Sequence, residues 1–157
     1  VDLMVADAFV LAGAIAPGAR VVDVGSGAGA PALALAALRP DLALTLVEPL
    51  QKRVSFLRVT AGAIAWGGPR PVVVRERGEQ TAARGARFDV AISRATLPPR
   101  EWLALGARLA PEVWVLLAQA EPPDEPGLGV TQDVRYRWPL TGVDRRAVRY
   151  RAASPPG

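Results

Sequence analysis

The sequence has no cysteine and no histidine among its 157 residues. Thiolates and imidazoles are the usual ligands of zinc and the usual nucleophiles or bases of acyl-transfer enzymes, so zinc sites and Cys–His or Ser–His catalysis are excluded. There is no run of 18 apolar residues that could span a membrane, and the apolar first segment carries Asp2 and Asp7 rather than a basic start. We therefore expect a cytoplasmic protein with no metal centre.

Lysine is nearly absent too, since Lys52 is the one lysine beside 18 arginines, and the formal net charge is +4. The basic residues are unevenly distributed: positions 51–108 hold eleven bases and four acids. A basic middle and tail is compatible with a polyanionic partner such as RNA. A strong arginine bias with abundant alanine, glycine and proline is also typical of a general compositional bias, so charge alone leaves both interpretations open.

Short β-branched runs alternate with amphipathic or Ala/Leu-rich runs along most of the chain, which predicts a parallel sheet with helices on both faces. The length is that of one α/β domain, residues 1–157. The predicted helices are Asp2–Ile15, Gly29–Leu38, Leu50–Ala65, Gly78–Arg84 and Arg100–Leu109, and the predicted strands are Val21–Val24, Leu42–Val47, Pro71–Arg75, Phe88–Ser93 and Val113–Ala118.

The end of the chain follows a different pattern. A Pro/Gly/acid segment at Glu121–Gly129 predicts a loop, and alternating polar and apolar residues at Asp133–Trp138 and Arg145–Arg151 predict a β-hairpin. A mostly parallel sheet that ends in an antiparallel hairpin is the architecture of the Rossmann-like methyltransferases that use S-adenosylmethionine (SAM). A complete dinucleotide-binding fold would need a second mononucleotide half, which the sequence does not show.

A glycine cluster between the first predicted strand and the following helix suggests a nucleotide-type cofactor site. Gly25, Gly27 and Gly29 let the backbone pass where a Cβ would collide with a ligand. Glu48 ends the second strand, where a carboxylate can accept both hydroxyls of an adenosine ribose. Because Gly25, Gly27 and Ala30 also satisfy the dinucleotide spacing G-x-G-x-x-A, NAD remains the alternative cofactor, and a plain strand–helix turn is the alternative without a ligand.

Collinear blocks over almost the whole chain resemble the RsmG (glucose-inhibited division protein B, GidB) family of 16S rRNA guanine-N7 methyltransferases. Asp23–Gly29 followed by Pro31 is similar to that family's D-x-G-S-G-A-G-F-P-G loop. Leu46–Glu48 with Lys52–Leu57 resembles its L-V-E and K-K/R-x-x-F-L block. Arg77-Gly-Glu79 resembles its R-x-E, and Phe88–Ala95 its F-D-x-V-x-x-R-A. The resemblance implies SAM as the cofactor and rRNA as the substrate.

The resemblance also implies roles for particular residues. Arg94 would lie at the methyl-transfer region and position the substrate, and Lys52, Arg53 and Arg94 would contact RNA. No general base is expected, because guanine N7 presents a free lone pair, which predicts a pH–rate profile flat between about 6 and 9. The residues implied for cofactor binding are Asp23, Gly25, Ser26, Gly27, Gly29, Glu48, Gly78 and Glu79.

Four departures from the family pattern predict a divergent, N-terminally truncated member. The resemblance as a whole implies 16S rRNA or the small ribosomal subunit as the partner, and we expect a monomer. The family's N-terminal helical region is missing, and its F-P-G reads Ala30-Pro31-Ala32. Its Lys-Gly after the fifth strand reads Gln119-Ala120, and the helix expected next is replaced by the 121–129 loop. Two alternatives stay open: a SAM methyltransferase acting on another RNA or a small molecule, and a non-catalytic module that binds SAM or RNA.

Overall fold

The computed structural model describes residues 5–94 and 96–153, and in these ranges helices and strands alternate until three consecutive strands complete the described part of the chain. No helix in these ranges is both long enough and apolar enough to cross a membrane. The helices are α1 Asp7–Ala14, α2 Ala32–Leu38, α3 Gln51–Ala63, α4 Gly78–Ala83 and α5 Pro99–Leu109. The strands are β1 Arg20–Val24, β2 Ala43–Val47, β3 Val72–Val74, β4 Val90–Arg94, β5 Glu112–Leu117, β6 Leu128–Arg137 and β7 Asp144–Ala152.

The seven strands form one sheet in the order β3-β2-β1-β4-β5-β7-β6. Strands β1 to β5 pair in parallel, whereas β7 is antiparallel to both β5 and β6. The prediction of a mostly parallel sheet with a C-terminal antiparallel hairpin is therefore confirmed. The strand order reverses between β1 and β4, and a crevice at the carboxyl ends of the strands is expected at that point.

Two hydrophobic clusters hold the helices against opposite faces of the sheet. One cluster joins Leu11 of α1, Leu35 of α2 and Leu57 of α3 to the first face. The other joins Ala82 of α4 and Trp102 of α5 to the second face. All six residues of β5 are buried, as expected for a central strand covered on both sides.

The observed boundaries correct several of the predicted ones. The predicted helix Gly29–Leu38 begins only at Ala32, because Gly29 has a φ of +93°, outside the helical region. The predicted loop Glu121–Gly129 is shorter, because Leu128 already pairs with Ala152 and β6 begins there. Of the predicted helix Asp2–Ile15, the structure shows α1 at Asp7–Ala14, and residues 2–4 lie outside the described residues.

A buried carboxylate connects α1 to the C-terminal hairpin. Asp7 is fully buried, and its Oδ1 accepts hydrogen bonds from the Tyr136 hydroxyl at 2.7 Å and from Trp138 Nε1 at 2.9 Å. The guanidinium of Arg145 lies 4.0 Å from Asp7 Oδ2 and stacks over the Trp138 ring at 4.7 Å. Burial and the bond to Asp7 raise the pKa of Tyr136 well above its usual value. This Asp7 network fixes α1 against strands that follow it by more than a hundred residues.

Candidate functional site

A cavity of about 580 Å³ opens at the carboxyl edge of the sheet, at the β1/β4 reversal. Its volume lies within the usual range for a small-molecule site, roughly 300–1,000 Å³. The glycine loop after β1, residues 25–28, forms one wall, Glu48 after β2 forms another, and Arg94 at the end of β4 a third. Each of these three chain segments carries residues that the sequence pattern placed in the site.

Glu48 is almost completely buried, with 2% of its surface exposed, and backbone donors fix both of its oxygens. Its Oε2 accepts the Gly27 N–H at 3.0 Å, and its Oε1 accepts the Leu50 N–H at 3.0 Å. The guanidinium of Arg53 lies 3.9 Å from Oε2. A carboxylate offers about four acceptor positions, so acceptor capacity remains for two hydroxyl groups of a ligand.

The glycine loop depends on backbone conformations that side chains rarely adopt. Gly25 has a φ of +74°, and a Cβ at that position would overlap the side chain of Thr96. Gly27 has a φ of +57°, but its Cβ would meet nothing among the described residues closer than the Gly25 carbonyl oxygen at 3.9 Å. The first glycine is therefore required by packing, and the second leaves open space in the cavity wall.

Asp23 lies beneath the loop and is buried, with no hydrogen-bond partner for its Oδ2 among the described residues. Burial raises the pKa of this carboxyl to about 7, a neighbouring hydrogen bond from Ser26 and the charge of Arg94 lower it, and the charge of Glu48 raises it. Because an unsatisfied buried carboxylate is costly, this group favours a cationic ligand in the adjacent cavity. The open space beside Gly27 and the unpaired oxygen of Asp23 both fit a bound SAM.

A smaller cavity of about 110 Å³ adjoins the first and includes Gly78 and Glu79 at the start of α4. A Cβ on Gly78 would lie 2.7 Å from Val24 Cγ1, so glycine is needed for α4 to pack against the end of β1. The two cavities share Gly25 and Thr96 in their walls. The residues predicted to contact adenine thus lie next to those predicted to contact ribose.

Three predicted site residues lie outside these cavities, and the first is Asp23, which is not among the described residues that line either one. Gly29 is not among the described residues that line either one, and its Cβ would overlap Leu33, so packing against α2 already accounts for this glycine. Lys52 lines a neighbouring open cavity of about 400 Å³, together with Arg53 and Phe56 of α3. Of the residues predicted for RNA, Arg53 and Arg94 line the main cavity and Lys52 lies beside it.

Sequence reasoning assigned no role to three residues of this region. Thr96 lines both cavities, and its hydroxyl donates to the Val24 carbonyl at 3.1 Å. Arg77 also lines both, and Phe56 borders the neighbouring cavity. Each had a signal in the sequence. Thr96 is a short polar residue just after β4, Arg77 is the first residue of the Arg77-Gly-Glu79 block, and Phe56 is an aromatic residue one helical turn after Lys52.

The site combines hydrogen-bond acceptors, open backbone and cations, a set suited to binding and orienting a charged cofactor. Within residues 5–94 and 96–153, no group of three acidic side chains is placed to hold a metal ion. The sheet edge can therefore hold a small molecule in the cavity whose walls include Glu48, the glycine loop and Arg94.

Comparison with known sequences identifies one family. The family model for rRNA small subunit methyltransferase G (GidB) matches residues 1–121. The ribosomal RNA small subunit methyltransferase G of Mycobacterium leprae (strain TN) is 47% identical over 97 residues, which cover 60% of this chain and 38% of that protein. The protein of the same name from Anaeromyxobacter sp. (strain Fw109-5) is 32% identical over 142 residues, covering 84% and 66%. The chain thus spans less than two thirds of the length of these relatives.

Solved structures share the fold at low sequence identity. A methyltransferase from Escherichia coli, YhhF, superposes with a TM-score of 0.70 at 15% identity, over 95% of this chain and 86% of that one. The magnesium protoporphyrin IX methyltransferase ChlM from Synechocystis PCC 6803, solved with bound SAM, gives a TM-score of 0.68 at 17% identity, over 93% and 76%. The architecture described above is that of a methyltransferase fold.

Proposed function

The chain belongs to the rRNA small subunit methyltransferase G (GidB) family, and we propose that it transfers a methyl group from SAM to N7 of a guanine in small-subunit (16S) rRNA. The observation that carries this proposal is the fixed carboxylate of Glu48 beside the glycine loop. An acceptor held in this way at the end of β2 is suited to the two hydroxyls of an adenosine ribose. The NAD alternative has less support, because the sheet ends in an antiparallel hairpin rather than in a second mononucleotide half.

The proposal assigns the parts of the cofactor to different walls of the site. Glu48 would hold the ribose, and Gly78 with Glu79 would border the adenine in the smaller cavity. The loop residues Gly25, Ser26 and Gly27 would border the methionine part, with Asp23 beneath them as the counter-charge. Gly29 would act through the conformation of the loop.

The chain's own contribution to methyl transfer would be positioning. SAM, when bound, supplies a methyl group on a positively charged sulfonium, and guanine N7 needs no proton removed before it reacts. Arg94, which lines the main cavity, would orient the RNA, and Lys52 and Arg53 would hold its phosphates. Positioning two reactants can supply about 7–11 kcal/mol of the barrier reduction, so the absence of histidine and cysteine is compatible with this reaction.

The proposed function also concerns the domain, the oligomeric state and the RNA partner. We propose that residues 1–157 act as one methyltransferase domain, as a monomer in the cytoplasm, with 16S rRNA or the small ribosomal subunit as substrate. The family assignment supports an RNA substrate, and the cations Lys52, Arg53 and Arg94 near the site supply charge of the right sign.

Two measurements test the proposed function. Calorimetric titration with SAM and with its demethylated product should show binding by the wild-type chain, and absence of binding would reject the proposal. Methyl transfer from labelled SAM to small subunits that lack base methylation, mapped by nucleotide, should then give one modified guanine. Transfer to a different RNA or a small molecule instead, or binding without transfer, would replace the proposal with one of the two alternatives named above.

A further inference from the structure

An exposed phenylalanine stands at the edge of the cofactor cavity. Phe56 lies on α3 with 53% of its surface exposed, whereas its neighbour Leu57 is fully buried in the core. Single exposed apolar side chains are common on protein surfaces, so the informative feature of Phe56 is its place beside the cofactor cavity. The exposed face of Phe56 borders an open cavity of about 400 Å³.

The charge around Phe56 is of one sign. The cavity is lined by Gly27, Ala28, Lys52, Arg53 and Phe56, so its wall has two cations and no acid. Lys52 and Arg53 precede Phe56 by four and three residues, a spacing that places all three on the same side of a helix. Arg53 lies 3.9 Å from Glu48, and Lys52 forms no ion pair with any described residue.

The Phe56 cavity is continuous with the main cavity. Gly27, Ala28 and Arg53 line both of them, so a ligand in one can extend into the other. Phe56 itself is not among the described residues that line the main cavity. A group seated on its ring would therefore be a neighbour of the reacting group and not the reacting group itself.

We propose that Phe56 is a stacking platform for an unpaired RNA base next to the target guanine, and that Lys52 and Arg53 bind the phosphates on either side of that base. An aromatic ring flanked by cations matches a single-stranded nucleotide, which offers a π-face and negative charge together. A protein partner would bury the same ring. Two cations line this cavity, however, and among the described residues Arg53 alone of the two has an ion-pair partner, Glu48, so the charge of the wall favours a polyanion. The inference rests on the proposed function, since it names a contact of the same RNA.

The test separates stacking from charge by using two probes. One is a short fluorescein-labelled single-stranded RNA that contains all four bases, and the other is the same strand with abasic sites. Phe56→Ala should weaken binding of the normal strand by roughly tenfold or more and leave binding of the abasic strand unchanged. Phe56→Trp should retain the binding, because the larger ring still offers a face to the base.

Control variants remove equally exposed apolar side chains elsewhere. Phe9 on α1 is 60% exposed and Val59 on α3 is 72% exposed, and Phe9→Ala and Val59→Ala should leave RNA binding unchanged. Lys52→Gln should weaken both strands and reduce the slope of log affinity against log salt by about 0.7. If Phe56→Ala behaves like Phe9→Ala, or if it weakens the two strands equally, the stacking role is overturned.

The outcome is distinguishable from failure of the proposed function. SAM binding by the Phe56→Ala chain, measured by calorimetry, should equal that of the wild type. A wild-type chain that does not bind SAM rejects the methyltransferase proposal whatever Phe56 does, whereas a wild-type chain that binds SAM and RNA without dependence on Phe56 rejects this inference alone. Self-association of the wild type lost on Phe56→Ala, with RNA binding intact, would assign the ring to a protein contact and overturn it too.

Discussion

The Oε2 atom of Glu48 accepts the backbone N–H of Gly27 at 3.0 Å, so the end of β2 and the turn after β1 are held together by one hydrogen bond. The second oxygen of Glu48 is fixed in the same way by the Leu50 N–H. The carboxylate therefore has its orientation before any ligand arrives, and the loop has a fixed edge. Pre-organisation of this kind reduces the ordering cost of binding.

Replacement of Glu48 by glutamine should weaken SAM binding. The amide nitrogen cannot accept, so either Gly27 N–H or Leu50 N–H would face another donor, and a hydrogen bond to a charged group is worth about 1.5–3 kcal/mol. We expect the dissociation constant of SAM in calorimetry to rise about tenfold or more in Glu48→Gln. Asp144→Asn, at a side chain that is 65% exposed on the hairpin, is the control and should bind as the wild type does. Unchanged binding by Glu48→Gln would remove the ribose role of this residue.

Asp23 should make SAM binding depend on pH, because its pKa is raised to about 7 by burial. The charged carboxylate favours a cationic ligand, so the affinity for SAM should increase by about tenfold from pH 6 to pH 8 and level off above that. Asp23→Asn should bind SAM with no such dependence. The rate at saturating SAM and RNA should stay flat between about pH 6 and 9, since positioning needs no titrating base. A bell-shaped rate under those conditions would contradict the positioning mechanism.

Asp23 should also make the stability of the chain depend on pH, but stability should fall as the pH rises, whereas the affinity for SAM should increase. The ordinary pKa of this carboxyl is 3.8, so between about pH 4 and 7 the unfolded chain releases a proton that the folded chain keeps. The contribution of Asp23 to the free energy of unfolding is therefore complete below about pH 4 and decreases as the pH rises towards 7. Urea titrations at several pH values give the free energy of unfolding of the wild type and of Asp23→Asn. Its dependence on pH should differ between the two chains from about pH 4 to 7 and become the same above pH 7.

Gly25→Ala should destabilise the chain more than Gly18→Ala does. Both glycines have a positive φ, +74° and +70°, so each alanine carries a similar backbone cost of about 1–2 kcal/mol. A Cβ at Gly18 meets no described atom within 4 Å, whereas one at Gly25 overlaps Thr96. The difference between the two variants in urea unfolding therefore measures the collision, and Gly25→Ala with Thr96→Gly should remove it. Equal effects of the two single variants would show that the loop moves aside freely.

The Asp7 network should contribute strongly to stability. Asp7→Ala leaves the Tyr136 hydroxyl and the Trp138 N–H without their acceptor and deprives Arg145 of its nearest carboxylate. Removing one partner of such a buried group costs about 3–5 kcal/mol. Asp144→Ala removes an exposed ion pair with Arg137 and should cost about 0–1 kcal/mol. Urea unfolding of the two variants tests this, and similar losses would mean that Asp7 has no special role.

Local pattern was sufficient to predict the element types and the fold class. The β-branched run before the glycine cluster and the Pro/Gly stops between runs are local signals, and each corresponds to an observed strand or turn. Boundaries were less predictable where backbone conformation decides them. Gly29 begins no helix because of its positive φ, and Leu128 joins β6 because of its pairing with Ala152, a contact that no local pattern contains.

Site residues could be predicted where a sequence motif lies at the end of a predicted strand. Examples are Gly25, Gly27, Glu48 and Arg94. Thr96 and Asp7 depend on contacts between distant segments. The Thr96 hydroxyl reaches Val24, 72 residues away in the sequence, and Asp7 accepts hydrogen bonds from Tyr136 in β6 and from Trp138 just after it. The position of Phe56 becomes informative only when the neighbouring cavity is known.

The Asp7 network can form only late during synthesis of the chain, because its partners follow Asp7 by more than a hundred residues. Tyr136 follows Asp7 by 129 residues, so at roughly 5–20 residues per second about 6 to 26 s pass before the carboxylate can meet its hydroxyl partner. During that interval the Asp7 carboxylate lacks the two donors, Tyr136 and Trp138, that it has in the folded chain. The hydrogen bonding of α1 is therefore complete only after β6 has been synthesised.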